Sequence, residues 1–257
     1  MGLAGWLCER HGIEMTTSRE EWMTGRLHFH NLEESKATQM LAFYKLAGFS
    51  EEQMRLVVPR AAQYTRVAGM PPQSFNRVKG GDLIGIDGNS WEVMIAEGHS
   101  VAQLCLFCAE KNILLSGDQV LPRITPNISL QPEEPEGDPL KLFLDSLEQF
   151  RRLPEDTLVF PSHDRPFRGL LERVNSLTSH HHERLQFILS VCVSPKSATE
   201  VVKEMFPREL DDHQIFFAIG EALAHLHYLM HTKKIKRTLS ANGIYVFEAS
   251  ELNDQAA

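Results

Sequence analysis

Apolar residues recur every three or four positions in the N-terminal part of the chain, a spacing that is typical of amphipathic helices. It predicts helices over residues 33–46 and 51–67, and Ser50 is placed to be the N-cap of the second. An apolar segment over residues 2–10 is also helix-like, although no Ser, Thr, Asp or Asn precedes it as a cap. This part of the chain is therefore expected to be helical.

The spacing changes near residue 80, where short apolar runs begin to alternate with turn residues. Runs at 83–86 and 91–95 flank an Asp-Gly-Asn turn, which predicts a β-hairpin. Runs at 103–108 and 113–115 predict a second hairpin, and residues 157–160 read as one more buried strand. The middle of the chain is therefore expected to form a sheet.

Two further helices and a long loop are expected around the last of these strands. Apolar residues at helical spacing predict a helix over residues 138–153, which Pro154 ends. Residues 121–137 are rich in Pro and acidic side chains and predict a long loop, a feature that is often functional in a compact domain. Residues 168–191 predict a long helix that leads into a separate unit.

The C-terminal part has the pattern of a winged-helix domain. Two helical segments within residues 197–232 are followed by two apolar runs within residues 235–247, which form a terminal hairpin around an Ala-Asn-Gly turn. The predicted division is a first domain over residues 1–170, then a linker helix and winged-helix domain over residues 171–257. The polar tail after Glu251 is expected to fray.

Composition limits the class of protein. With 42% hydrophobic and 23% charged residues, the chain resembles a globular protein that buries a core. Its apolar runs are shorter than the roughly 18 to 20 residues that span a bilayer, so no membrane association is expected and a cytoplasmic location is the default. The formal net charge of −8 argues against broad binding to a phosphate backbone, although a local basic patch could still bind one.

The four cysteines are too few and too scattered for a disulfide framework, so reduced thiols are expected. Cys105 and Cys108 have C-x-x-C spacing, but residues three apart in a strand point to opposite faces and cannot share one metal. We interpret both as buried core residues, because a free cysteine behaves as a small hydrophobe.

Three short segments carry metal-capable side chains directly after predicted strands: Gly98-His99, Gly117-Asp118 and Ser162-His163. Strand ends at one edge of a sheet can converge although they are far apart in sequence. Imidazoles and a carboxylate that bridges two ions are the ligands that a two-metal hydrolytic site needs. His99, Asp118 and His163 are therefore candidate metal ligands.

In this order, the three segments resemble the later metal-binding motifs of the metallo-β-lactamase superfamily. Within it the chain is similar to glyoxalase II-like hydrolases with a C-terminal winged-helix domain. Residues 2–7 and His163-Asp164-Arg165-Pro166-Phe167 also resemble this family. The resemblance implies an α+β fold, a metallo-β-lactamase-like αββα sandwich followed by a winged-helix domain.

The resemblance also implies the chemistry: a metal-dependent hydrolase with two Zn²⁺ ions per site, in which a metal-bound hydroxide attacks a small-molecule ester or thioester. Asp118 would bridge the ions as the catalytic carboxylate, with His99 in the first metal site and His163 in the second. Arg123, Ser162 and Arg165 are candidates for contacts to the substrate or to the metal ligands.

One family motif has no counterpart here. The family's first ligands come from His-x-His-x-Asp-His, which occurs nowhere in the sequence, and His28-Phe29-His30 matches only its beginning. In the family that motif precedes the helix that resembles residues 2–7. We therefore expect Met1 to be internal to a longer protein, and the first part of the sandwich to be missing. Hydrolysis is then expected of the parent protein, and the alternative is that this chain is a non-catalytic remnant.

A basic cluster of Lys233, Lys234, Lys236 and Arg237 leaves two interpretations open. The charges can simply favour the C-terminal end of a helix dipole. They can instead contact the phosphates of a nucleic acid, in which case the parent protein is ribonuclease-like and uses its winged helix.

The remaining histidines are interpreted as polar surface groups. His180, His181 and His182 fan around one helix and are expected to be solvated. His227 and His231 lie four apart and are expected on a polar helix face, with His225 pointing elsewhere.

Overall fold

The computed structural model describes residues 2–30, 33–61 and 64–250, so the predicted frayed tail lies outside the described residues. The chain divides into two compact units. Unit 1 comprises Met1–Leu32, Ala62–Pro126 and Leu142–Thr178, and unit 2 comprises Glu33–Ala61, Asn127–Lys141 and Ser179–Ala257. Two segments from the first 170 residues thus belong with the C-terminal unit.

Along the described chain, a helical N-terminal stretch is followed by a run of strands and then by a mixed stretch of helices and strands. The helices are α1 (Ala4–His11), α2 (Arg19–His30), α3 (Glu33–Ala47), α4 (Glu51–Ala61), α5 (Tyr64–Val67), α6 (Pro139–Glu148), α7 (Leu170–Val191), α8 (Ala198–Met205) and α9 (Gln214–His231). The strands are β1 (Thr16–Thr17), β2 (Asn76–Arg77), β3 (Leu83–Ile86), β4 (Asn89–Ala96), β5 (Gln103–Cys108), β6 (Ile113–Gly117), β7 (Leu158–Pro161), β8 (Lys196–Ser197), β9 (Ile235–Leu239) and β10 (Tyr245–Ala249). None of the helices in the described ranges is long and apolar enough to cross a membrane.

Unit 1 is built on a five-stranded sheet of order β3-β4-β5-β6-β7. Both predicted hairpins are confirmed, since β3 pairs with β4 and β5 with β6 in antiparallel register, while β7 joins β6 in parallel. Phe107, Leu114 and Val159 lie in register on a buried face. On the opposite face Leu115 and Phe160 are paired in register and exposed, so the strand predicted to be buried is buried on one face only.

Helix α6 holds the end of β4 in place. Its apolar stripe is confirmed, with Phe143 and Leu147 fully buried, and burial of such side chains contributes about 2 kcal/mol each. The Ser146 hydroxyl accepts a hydrogen bond from the Glu97 amide at 2.8 Å, just beyond the last residue of β4. The same helix that builds the core therefore fixes where the loop after β4 begins.

Unit 2 contains the predicted C-terminal pattern of two helices followed by a hairpin. Strands β9 and β10 are antiparallel, and β8 pairs with the other edge of β10. Ser197 and Glu200 form a capping box at the start of α8. In α4 the predicted cap is also confirmed, since the Ser50 hydroxyl accepts a hydrogen bond from the Gln53 amide at 3.3 Å.

Helix α2 is absent from the elements predicted from the sequence. Its start carries a signal that could have identified it, because Ser18 and Glu21 have the Ser-x-x-Glu spacing of a helix N-terminus. The Glu21 amide donates to the Ser18 hydroxyl at 3.2 Å, as that signal requires. The helix matters because Glu21 reaches the candidate site.

Candidate metal site

The loop after β4 carries His99 and is held at both ends. At its start, the Gln119 side-chain amide donates to the Glu97 carbonyl at 3.1 Å. At its far end, Glu21 accepts a hydrogen bond from the Ser100 hydroxyl and another, at 3.1 Å, from the Ala102 amide. Sequence reasoning missed Gln119 and Glu21, which fix the backbone on either side of the histidine.

Asp118 directly follows β6, and the turn that presents it depends on Gly117. This glycine has φ +54°, in the left-handed region that favours glycine. A Cβ at Gly117 would also collide with the side-chain amide of Gln103, which donates to the Ser116 carbonyl at 3.0 Å. The turn thus needs glycine for its backbone conformation, and an added Cβ would displace the end of the Gln103 side chain from its hydrogen bond with Ser116.

Gly117→Ala is expected to lower the free energy of unfolding by about 2–3 kcal/mol, because a left-handed alanine costs about 1–2 kcal/mol and the displaced Gln103 side chain loses its hydrogen bond to Ser116. Urea denaturation measures the change. Gly88→Ala is the matched control, since Gly88 has φ +74° but nothing within 4 Å of an added Cβ. Equal losses in the two variants would show that the Gln103 contact has no energetic role.

His163 follows β7, and its neighbour Ser162 connects this strand end to Asp118. The Ser162 amide donates to the Gly117 carbonyl at 3.0 Å, and the Ser162 hydroxyl donates to Asp118 Oδ1. Ser162, a candidate for contacts to the substrate or to the metal ligands, thus contacts the Asp118 carboxylate.

The three candidate ligands lie together, with both histidines beside Asp118, as the positions of the strand ends suggested. His99 Nε2 lies 3.4 Å from Asp118 Oδ2, and His163 Nε2 lies 3.3 Å from Oδ1. The carboxylate thus stands between two imidazoles, one at each oxygen. The His163 side chain is 65% exposed, so one side of the cluster is open to solvent.

These donors fit a divalent cation by type, since imidazole nitrogen and carboxylate oxygen are both ligands of zinc. Within the described residues, however, no group of three or more His, Cys, Asp or Glu side chains stands in positions that could hold a metal ion. The cluster is therefore a set of donors of suitable type in which two imidazoles lie within 3.4 Å of one carboxylate.

Arg123 and Arg165 both contact Asp164, which follows His163. The Arg123 guanidinium donates to the two Asp164 oxygens at 2.5 and 2.7 Å, and the Arg165 backbone amide donates to Oδ1 at 2.8 Å. The hydrogen bond from Arg123 lowers the pKa of the Asp164 carboxyl, and the same bond raises the pKa of the guanidinium. Arg123 thus holds the loop beside His163 in position. The Arg165 side chain is exposed.

Two histidines of unit 2, His181 and His227, correct the expectation of solvated or polar-face side chains, and His225 is buried with them. His181, His225 and His227 are buried. The ring nitrogens His181 Nδ1 and His225 Nε2 lie 3.1 Å apart, a contact between α7 and α9. Neither partner is recognisable from its own helix, because the burial arises only when the two helices pack.

The basic cluster is partly paired with carboxylates. Arg237 donates to Glu136, and Lys236 forms a 2.8 Å ion pair with Glu248. Lys233 and Lys234 are exposed. The cluster therefore presents less free positive charge than its sequence suggests.

The cysteines behave as predicted. Cys105, Cys108 and Cys192 are buried and free, and Cys8 is free and half-buried. Burial raises the pKa of the Cys105 thiol to about 12, so it stays protonated and unreactive.

The chain matches two family models. One, described as metallo-beta-lactamase superfamily, covers residues 1–163, and the other, described as metallo-beta-lactamase-like, C-terminal domain, covers residues 185–250. The chain belongs to the metallo-beta-lactamase superfamily, whose members are typically hydrolytic metalloenzymes that bind divalent metals. Its fold is accordingly a mixed α+β metallo-beta-lactamase-like fold with a C-terminal domain.

Similar proteins support this assignment. A beta-lactamase domain protein from Burkholderia ambifaria is 34% identical, with a TM-score of 0.87 over 97% of this chain and 71% of that one. A protein named "Probable metallo-hydrolase YqjP" from Bacillus subtilis (strain 168) is 25% identical over 63% of this chain and 52% of its own length. A hydroxyacylglutathione hydrolase from Polaromonas sp. (strain JS666) is 34% identical over 38% of this chain and 35% of its own length. The chain thus spans about half or less of these two curated relatives.

Proposed function

We propose that this chain carries part of the active site of a metal-dependent, glyoxalase II-like hydrolase that acts on an ester or thioester. The observation that carries the proposal is the position of Asp118, with His99 at one carboxylate oxygen and His163 at the other. The similarity to a protein named hydroxyacylglutathione hydrolase supports a substrate of the thioester type.

In this proposal His99, Asp118 and His163 bind the metal, with Zn²⁺ as the expected ion. When bound, a divalent cation lowers the pKa of a water molecule and polarises the substrate's carbonyl. Asp118 is the shared ligand, and the Ser162 hydroxyl fixes its orientation. Arg123 acts indirectly, because its ion pair with Asp164 holds the segment that carries His163.

Asp118→Asn is expected to weaken the binding of Zn²⁺ to the full chain by at least about tenfold, because the amide keeps the carboxylate's shape but loses its charge and one oxygen ligand. Competition with a chromogenic chelator measures this affinity without requiring catalytic activity.

Asp87→Asn is the matched control for that experiment. Asp87 is exposed in the β3–β4 turn with φ +51°, a backbone conformation that asparagine also adopts. The Asp87→Asn variant should bind Zn²⁺ with the affinity of the parent chain. If Asp118→Asn and Asp87→Asn bind zinc equally well, the three side chains are not the metal ligands.

We further propose that the C-terminal segment from β8 to β10 is a winged helix. Its support is the order of two helices and an antiparallel hairpin with a third short strand. The pairing of Lys236 with Glu248 and of Arg237 with Glu136 supports a role for the cluster within the fold rather than in contact with nucleic acid. Comparing turnover of a thioester and of single-stranded RNA separates the hydrolase from the ribonuclease-like alternative.

A further inference from the structure

Unit 2 contains a cavity of about 190 Å³ whose lining residues all belong to this unit. His99, Asp118 and His163 belong to unit 1. Most of the cavity wall is apolar or aromatic and comes from α3, α9, β10 and the long loop before α6. The principal side chains are Phe43, Leu46, Leu130, Leu223, Tyr245 and Phe247. An apolar cavity of about 150 Å³ binds benzene, so this one has room for a single ring with a short substituent.

One end of the cavity carries a largely buried cation. The Arg237 guanidinium lies 4.2 Å from the centre of the Tyr245 ring and donates to the two Glu136 oxygens at 2.9 and 3.0 Å. The side chains differ in exposure, 18% for Arg237 and 62% for Glu136. A buried charge needs a partner, whereas an exposed carboxylate is well solvated alone. Another anion can therefore displace Glu136 from Arg237 at a small cost in free energy.

His227 is a further polar residue of the wall. Its Nδ1 lies 3.2 Å from the Gly137 carbonyl oxygen, and since a carbonyl only accepts, Nδ1 carries the proton and Nε2 is left as the acceptor. Burial lowers the pKa of this imidazole to about 4, so it is neutral at pH 7. A neutral histidine places no second cation in the cavity, and Arg237 is the group that selects an anion.

We propose that this cavity binds an arylalkanoate, a small monocarboxylate with one aromatic ring, whose carboxylate takes the place of Glu136 on Arg237. The ring then packs among the aromatic and leucine side chains, and the carboxylate keeps the two-oxygen arrangement that Glu136 shows. The site is made of unit 2 residues alone and does not depend on metal binding by His99, Asp118 and His163.

Phenylacetate is the probe, and isothermal titration of the full chain is the measurement. Arg237→Met is expected to weaken binding by at least about tenfold, because methionine keeps an apolar stem but removes the charge. Lys236→Met is the matched control, since Lys236 is adjacent on β9, pairs with Glu248 and is absent from the cavity wall. It should leave the affinity unchanged.

Two further arms test the carboxylate exchange even if Arg237→Met fails to fold. Glu136→Gln removes the competing anion and is expected to strengthen phenylacetate binding by about threefold or more. Phenylacetamide, the neutral analogue of the same shape, should bind at least about tenfold more weakly than phenylacetate. Equal binding of the two probes would overturn the proposal. So would equal losses in Arg237→Met and Lys236→Met, or no binding at about 10 mM phenylacetate.

Discussion

Leu147→Ala is expected to lower the free energy of unfolding by about 2–5 kcal/mol, the largest effect of any single substitution considered for this chain. Leu147 lies in α6 and has 0% of its surface exposed. Truncation removes its buried methyl groups and leaves a cavity that the neighbouring side chains fill only in part. Because α6 also anchors Glu97 through Ser146, the loss should extend to the loop that carries His99.

Leu142→Ala is the matched control on the same helix. Leu142 is 39% exposed, so the same change in chemistry should cost less than about 1 kcal/mol. Urea denaturation followed by circular dichroism measures both variants. Similar losses would mean that the burial of Leu147 does not decide the stability of α6.

Elements with a strong local pattern are predictable. Helix α6, the two hairpins of the sheet and α8, which Ser197 caps, follow from residues close together in sequence, and the structure confirms them. The helix predicted over residues 138–153 differs at its end, where a 3₁₀-helix over Gln149–Arg152 follows α6. Helix α2 escapes prediction because its apolar positions lack a clear helical stripe, and only its Ser-x-x-Glu start identifies it. The exposed face of β7 escapes prediction because a run of apolar residues does not reveal how many faces of a strand are covered.

The candidate site is predictable for a similar reason. His99, Asp118 and His163 each follow a strand end, and strand order alone brings those ends together. The groups that hold the site are not predictable, because Glu21 and Gln119 act through hydrogen bonds to residues that are distant or in loops. The fold and the candidate ligands thus follow from the local sequence pattern. The residues that hold those ligands in place depend on tertiary contacts.

The same limit explains the misjudged charges and histidines. The sequence places Arg237 in a basic cluster, but its partner Glu136 lies about a hundred positions earlier, in the loop before α6. The sequence predicts a solvated His181, but this side chain meets His225 across two helices. The environment of a polar side chain depends on which elements pack together, and a single helix does not carry that information.

The free energy of unfolding is expected to fall steeply as pH decreases from 6.5 to 4.5, because three buried histidines of unit 2 resist protonation. Burial is the main cause that lowers the pKa of His181 to about 3 and the pKa values of His225 and His227 to about 4, from an ordinary value of 6.5. Between pH 6.5 and about pH 4, the histidines of the unfolded chain are therefore protonated while those of the folded chain stay neutral. At pH 5 each histidine is expected to cost about 2 kcal/mol relative to pH 7.

The hydrogen bonds of the pair explain why both rings stay neutral. The Glu221 carbonyl accepts from His225 Nδ1 at 2.8 Å, which leaves His225 Nε2 to accept from His181 Nδ1. A proton on His225 Nε2 would turn that acceptor into a second donor. The Glu221 carboxyl acts in the opposite sense, since burial raises its pKa and protonation relieves a buried charge, so it offsets part of the loss at the acidic end.

His181→Gln tests this pH dependence, because glutamine can donate a hydrogen bond but does not titrate. Thermal or urea unfolding between pH 4.5 and 7.5 should show a slope that is smaller by about one proton than in the parent chain. His182→Gln, at the exposed neighbouring position, should keep the parent slope. If His181→Gln reproduces the slope of the parent instead, the buried pair does not control the acid sensitivity, and the carboxyl groups of the chain become its source.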